Sequence, residues 1–246
     1  MNKAQVAIIF ENIQLRSQRT PMLIHANFSQ RAIVTPLQHR WVQSPMAGVE
    51  RVMLDRVGEE KARATSLVRY ATESHFPRHL HPGGEEILVL SGIFCDEHGQ
   101  YPAGWYLRNP PGSSHQPFSA EGATIFVKLW QMQPGDNHTV RINTSDPASW
   151  QRHAGREVCP LFSDAIETVW LQRLAPNETV LTESTHSAEL LVLEGSVVME
   201  GDTYEHGSWI RLPAGASPHI TAHAQGTTVY LKTGHLTPEA LASVTV

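Results

Sequence analysis

Glu86-Ile87-Leu88-Val89-Leu90-Ser91-Gly92 is an apolar, β-prone run closed by glycine. It returns 103 residues later as Glu189-Leu190-Leu191-Val192-Leu193-Glu194-Gly195. Working outward, Gly104 and Pro110-Pro111-Gly112 return as Gly207 and Pro213-Ala214-Gly215 at the same offset of 103. Farther on, Phe126-Val127-Lys128 matches Tyr230-Leu231-Lys232 at an offset of 104, which marks one inserted residue. Self-similarity at a fixed spacing means one structural unit used twice. The copies cover about residues 40–132 and 150–235.

The unit is β in character. Short runs such as Ser66–Tyr70, Thr124–Leu129, Thr168–Leu171 and Thr227–Leu231 alternate with the turn formers Pro82-Gly83-Gly84, Pro134-Gly135-Asp136 and Pro213-Ala214-Gly215. Many short strands at regular spacing predict an all-β sandwich or barrel. The expected organisation is an N-terminal extension over 1–21, a first barrel over 22–132, a polar linker over 133–149 and a second barrel over 150–246.

Composition narrows the function. A net charge of −5 argues against nucleic acid and anionic membrane surfaces, which call for clustered Lys and Arg. No window approaches the apolar length of a membrane span, and the run Val6–Phe10 stops at Glu11 without a cleavage-site pattern. The cytoplasm is the expected compartment. The chain holds 14 histidines but two cysteines, Cys95 and Cys159, neither in a CxxC pair. That balance points to imidazole rather than thiolate metal ligation, with both thiols reduced.

The chemistry concentrates in His79-Leu80-His81-Pro82-Gly83-Gly84-Glu85-Glu86. Residues i and i+2 of a strand share a face, so His79 and His81 present two imidazoles together. The Pro-Gly-Gly turn then brings a carboxylate back, and strand alternation allows only one of Glu85 and Glu86 to face inward. Spacing favours Glu85, with Glu86 the alternative. His115 follows the second turn, Pro110-Pro111-Gly112, and can reach the same point. Three imidazoles and one carboxylate suit one divalent ion, zinc or iron(II) first, with manganese, nickel and copper in range. Four protein ligands leave positions for water or substrate.

The spacings His79-x-His81-x3-Glu85-x6-Gly92 and Gly104-x5-Pro110-x-Gly112-x2-His115 resemble the two motifs of the cupin superfamily. The glycine that opens the first motif is absent, with Thr72 and Ser74 near its place. Gly48–Asp55, Ala64–Tyr70 and Tyr101–His115 look like the cupin of ChrR-type anti-sigma factors. The resemblance runs from about Met22 to Met132 and continues more weakly in the second repeat. It implies two tandem cupin barrels, of the jelly-roll or double-stranded β-helix kind, and a zinc-type site at His79, His81, Glu85 and His115. In ChrR that domain senses oxidative stress for a sigma factor. The sigma-binding helical domain of such proteins, with its H-x3-C-x2-C motif, has no counterpart here, so direct sigma-factor binding is not expected.

Two functions from different classes remain open. One is a metal-dependent sensor or small-molecule-binding protein. The other is an iron(II) dioxygenase acting on a small diketone or hydroxylated aromatic compound. Which residues would be catalytic is not readable. A homodimer formed through sheet edges is expected.

The offset of 103 carries His79, His81, Glu85 and His115 onto Thr182, Ser184, Ala188 and Pro218. All four ligands are thus replaced, and the second barrel is expected to be structural. His186, Glu189 and His219 lie close by as material for a shifted site. His75 shares parity with His79. Tyr70, Arg69, Phe126 and Lys128 should border the first barrel, and Phe126 and Lys128 share a face, which allows a pocket-facing lysine. Trp105, Trp130, Trp170 and Trp209 are expected in barrel cores or between the repeats. Cys95 is expected as a loop thiol after the strand Ile87–Phe94.

Overall fold

The computed structural model describes residues 22–59, 61–181, 187–216, 218–236 and 241. The extension 1–21 and the positions Thr182, Ser184 and His186 lie outside the described residues.

The architecture is all-β, built as two antiparallel sheets of the same topology. In the first, the main order is Leu23–Ile24, Val49–Val57, Arg63–Tyr70, Ala123–Leu129, Glu85–Asp96, Trp105–Asn109 and Val140–Asn143. In the second it is Gln151–His153, Arg156–Ser163, Thr168–Leu174, Ile220–Thr233, Ala188–Met199, Trp209–Leu212 and Ala32–Val34. Both sheets retain edges, so the barrels are open rather than sealed. The strand pairs that carry the sequence repeat occupy matching places: Glu85–Asp96 lies between Ala123–Leu129 and Trp105–Asn109, as Ala188–Met199 lies between Ile220–Thr233 and Trp209–Leu212.

Two short strands from outside the repeats complete the sheets. Val140–Asn143, in the segment whose composition reads as linker, adds to the first sheet beside Trp105–Asn109. Ala32–Val34, which precedes the first repeat in the chain, adds to the second sheet beside Trp209–Leu212. Each repeat is closed by backbone that a cut at the compositional boundary would remove.

The repeated glycines are conformational. Gly92 and Gly195 sit at φ +70 and +69. A side chain on either would collide with the carbonyl oxygen of Gly122 or of Gly226. Only glycine is at ease there.

Strand alternation sorts side chains into two populations. Val49, Ile87, Val89, Leu107, Ile125 and Val127 face the interior of the first barrel. The alternate residues Val52, Leu54, Leu67, Leu88 and Phe126 face outward and meet Cys159, Leu171, Leu191, Trp209 and Tyr230 of the second repeat. The repeats therefore pack through their outer faces. Phe126 and Tyr230, equivalent residues, meet edge to face at 5.2 Å between ring centroids.

Buried charges join this seam reciprocally. Lys128 Nζ donates to both oxygens of Glu189 at 2.6 Å, and its counterpart Lys232 donates to Glu86, the counterpart of Glu189, at 2.8 Å. Trp209 Nε1 also donates to Glu189 at 2.7 Å, and Arg108 donates to Glu167 at 3.0 Å. Burial opposes the charge on Glu86, but Lys232, Arg108 and Lys128 outweigh it and hold the carboxyl down at about 2. Lys128 is thus not a pocket lysine. It shares the outward face of its strand with Phe126 and is consumed by the second repeat.

Candidate metal centre

A two-stranded ribbon carries the histidines. His79–His81 pairs antiparallel with Ser113–His115, and His115 lies opposite His79. The ribbon places the three imidazoles around one point, with ring centroids 4.7 to 5.1 Å apart. The turn after His81 delivers the carboxylate. Gly84 sits at φ +76, its N–H donates to the His81 carbonyl at 3.1 Å, and a side chain there would strike Met132. The turn is thereby held tight, and Glu85 opens the long strand facing inward.

Among the described residues, His79, His81, Glu85 and His115 form the one cluster placed to share an ion, with one ligand atom from each within 4.8 Å of all the others. Glu85 Oε2 lies 3.4 Å from Nε2 of His81 and 3.4 Å from Nε2 of His115. Both of those ring nitrogens are buried with no hydrogen-bond partner. Buried imidazole nitrogens left unpaired beside a carboxylate are costly as they stand and are satisfied by a shared cation. The donor set fits a divalent metal.

Glu86, the alternative carboxylate, points the opposite way, into the inter-repeat seam with Lys232 and the Tyr230 hydroxyl. His75 stays out of the cluster and stacks on Phe118 on the surface.

Supporting groups set the ligands' orientation. His79 Nδ1–H donates to the Pro77 carbonyl at 2.9 Å, which frees Nε2 for the site. Asn109 Nδ2 donates to Glu85 Oε2 at 3.0 Å. Asp96 accepts from His115 Nδ1 at 3.4 Å and from the His98 backbone N–H at 2.8 Å. A carboxylate behind a ligating imidazole fixes its tautomer and raises its basicity. Burial pushes His115 down, but the Asp96 hydrogen bond and the charges of Glu85 and Asp96 outweigh it and leave its pKa raised. In His81 burial dominates and the pKa is lowered, which favours the neutral imidazole that a metal needs.

Asp96 was not evident from strand parity. Counted from Glu85 it should face outward. A bulge between Val89 and Ser91 shifts the alternation, so Phe94 and Asp96 turn inward. Cys95 accordingly lies within this strand and is buried, not in a loop, and burial with the charge of Asp96 raises its thiol pKa. Cys159 is also free and buried, its thiol pushed up to about 11 by burial.

His79, His81 and Glu85 form part of the wall of a cavity of about 280 Å³ in the first barrel. Val49, Val68, Ile125 and Val127 supply an apolar lining, and Tyr70, Phe76 and Trp130 add aromatic surface. Burial and the charge of Glu85 raise the pKa of Tyr70, so its hydroxyl stays protonated. Arg69, the neighbour of Tyr70, faces the other way and lies 3.9 Å over the Trp41 ring. On the opposite side of the ribbon His81 and His115 border a second opening of about 430 Å³, with Tyr101, Asn109 and Arg141.

The second repeat has no such cluster among its described residues. Ala188 takes the inward place of Glu85 and is fully buried. Glu189 is committed to Lys128 across the seam and to Trp209 within its own repeat, so it is not available to a shifted site.

Comparison with known proteins places these features. Residues 29–133 match the family model described as the ChrR cupin-like domain. No curated protein matches the chain. Among solved structures, a mutant of the salicylate 1,2-dioxygenase of Pseudoaminobacter salicylatoxidans is similar at a TM-score of 0.58 and 12% identity, covering 98% of this chain and 97% of that one. A bacterial pirin from Escherichia coli in complex with nickel(II) reaches 0.60 at 11% identity, over 83% of this chain and 98% of that one. A cupin 2 conserved barrel domain protein from Leptotrichia buccalis reaches 0.53 at 13% identity, over 78% and 92%. At these identities the likeness is one of fold. No helix among the described residues is long and apolar enough to cross a membrane.

Proposed function

We propose, from the match of residues 29–133 to the ChrR cupin-like domain and the cluster beside the cavity, a metal-dependent small-molecule-binding protein of sensor type. One divalent ion is held by His79, His81, Glu85 and His115. The observation that carries this reading is that three of the four ligands, His79, His81 and Glu85, form part of the wall of a largely apolar cavity of about 280 Å³. A small molecule there is within reach of the ion, and that volume approaches the size of ordinary ligand pockets.

The donor set suits zinc or iron(II), with manganese or nickel as further candidates. Such an ion, when bound, supplies Lewis-acid polarisation of an oxygen-bearing ligand. The chain's own residues do the rest. Asp96 and Pro77 orient two of the imidazoles. Val49, Val68, Ile125 and Val127 give the ligand an apolar surface. Tyr70 keeps its proton and can donate a hydrogen bond into the cavity.

A second reading, an iron(II) dioxygenase, is favoured by that same hydroxyl, a protonated donor beside the site, and is consistent with the fold shared with salicylate 1,2-dioxygenase. Elemental analysis of protein purified without chelators separates the two. Stoichiometric zinc supports the sensor, and iron with substrate-dependent oxygen uptake supports the oxygenase. His115→Ala is expected to lose the ion, and full retention of metal by that variant refutes the assignment. A cytoplasmic homodimer joined through sheet edges is our proposal for the assembly, checked by sedimentation.

A further inference from the structure

Arginines buried in this protein are generally matched with acids. Arg63 and Arg211 face Asp55 at 3.7 and 2.9 Å, and Arg108 is bound by Asp136 and Glu167. Buried Arg56 and partly buried Arg51, both in the wall of the metal-side cavity, depart from that pattern. Strand geometry puts them there. Val49 and Arg51 share the inward face of Val49–Val57, and a bulge between Met53 and Asp55 shifts the alternation so that Arg56 also turns inward.

Neither guanidinium forms an ion pair among the described residues. Arg51 Nε is buried with no hydrogen-bond partner. Arg56 spends Nε on the Gly58 carbonyl at 3.0 Å and Nη2 on the Glu59 carbonyl, both neutral acceptors. The two charges lie close enough that Arg51 opposes the ionisation of Arg56, although burial is the larger cause of its lowered pKa. A guanidinium does not discharge at any ordinary pH. Glu59 acts on Arg56 as a charge without pairing with it, and Glu85, in the same wall, is placed with the histidines, so among the described residues the two guanidiniums face the cavity with no carboxylate in ion-pair contact, a setting that favours an anion.

We infer that Arg51 and Arg56 form an anion subsite, so that the cavity ligand carries a carboxylate on a small apolar body. This rests on reading the cavity as the ligand cavity of the metal centre. The planar guanidinium fork matches a carboxylate in two-point contact. The valine and aromatic lining suits the apolar body, and the ligand's other end faces His79, His81 and Glu85.

The test uses the full chain loaded with zinc, titrated calorimetrically with acetate, benzoate and phenylacetate and with the corresponding neutral amides. At least one carboxylate is expected to bind tenfold or more tightly than its amide. Arg51→Gln is expected to erase that preference and Arg51→Lys to restore part of it, with zinc content unchanged in both. No preference for any carboxylate over its amide in the wild-type chain overturns the inference without involving any variant, and so does an unchanged preference in Arg51→Gln. Zinc is measured in the same samples. A chain that takes up no zinc but still prefers a carboxylate through Arg51 refutes the metal reading and keeps the anion subsite.

Discussion

Replacing Lys128 by Met should expose how far the two repeats depend on their shared charges. Lys128 Nζ donates to both Glu189 oxygens at 2.6 Å and to Thr65 Oγ1 at 3.0 Å, and neither side chain of the pair is more than 1% exposed. Methionine fills the space but leaves Glu189 buried without its cation. Removing one member of a buried pair costs about 3–5 kcal/mol. Glu189 keeps Trp209 Nε1 and the ring of His235, 2.9 Å away, which places the loss near the lower end, at about 3 kcal/mol. His235 also gives the loss a pH dependence. Burial, with Lys128 and Lys232 behind it, lowers the His235 pKa to about 3 against the pull of Glu189. Without Lys128 that value rises, and a protonated His235 can stand in for the missing ammonium. The cost relative to wild type should therefore be larger at pH 8 than at pH 5.5. Urea unfolding followed by tryptophan fluorescence measures both. Lys128→Met with Glu189→Met should recover most of the single variant's loss, because nothing charged is then left unpaired. A single-variant cost below about 1 kcal/mol at pH 8, or a double variant as unstable as the sum of the singles, refutes the reasoning.

Asp96→Asn should keep the fold yet weaken metal binding by about 10–100-fold, because the charge that orients His115 is gone. Competition against a chromophoric chelator measures this, and unchanged affinity removes Asp96 from the site. Wild-type stability should fall as pH drops below about 6.5, at up to about 1.4 kcal/mol per pH unit from His235, since the unfolded imidazole takes up a proton that the native one refuses. His235→Gln should flatten the urea-midpoint profile between about pH 6.5 and 4.5. Below that range the carboxyl of Glu86, held at about 2 in the fold, adds its own loss.

The repeat and the ligand spacing were legible because both rest on local rules. The recurrence of Glu86–Gly92 as Glu189–Gly195 announced two copies of a β unit, and the two copies of the sheet share one strand order. The i, i+2 rule paired His79 with His81, and alternation allowed only one of Glu85 and Glu86 inward. The features that stayed hidden are those that break alternation or depend on distant chain. The bulge near Leu90 turns Asp96 inward, and the bulge near Leu54 turns Arg56 inward. The sequence allows Lys128 as a pocket residue because nothing in its own strand reveals that the outward face is covered by the second repeat. Polar composition concealed Val140–Asn143, an edge strand with one partner and a half-buried surface.

The placement of Ala32–Val34 and Val140–Asn143 bears on how such a chain can be inherited. A gene segment cut to contain only the first repeat would encode a sheet lacking its last strand and a stray strand with no sheet to join. The segment for the second would lack the strand supplied from far upstream, Val34 lying 175 residues before its partner Trp209. The barrels therefore do not travel as exchangeable modules. The ligand-bearing barrel and its partner are one unit of assembly, because a strand from ahead of the first repeat completes the second sheet.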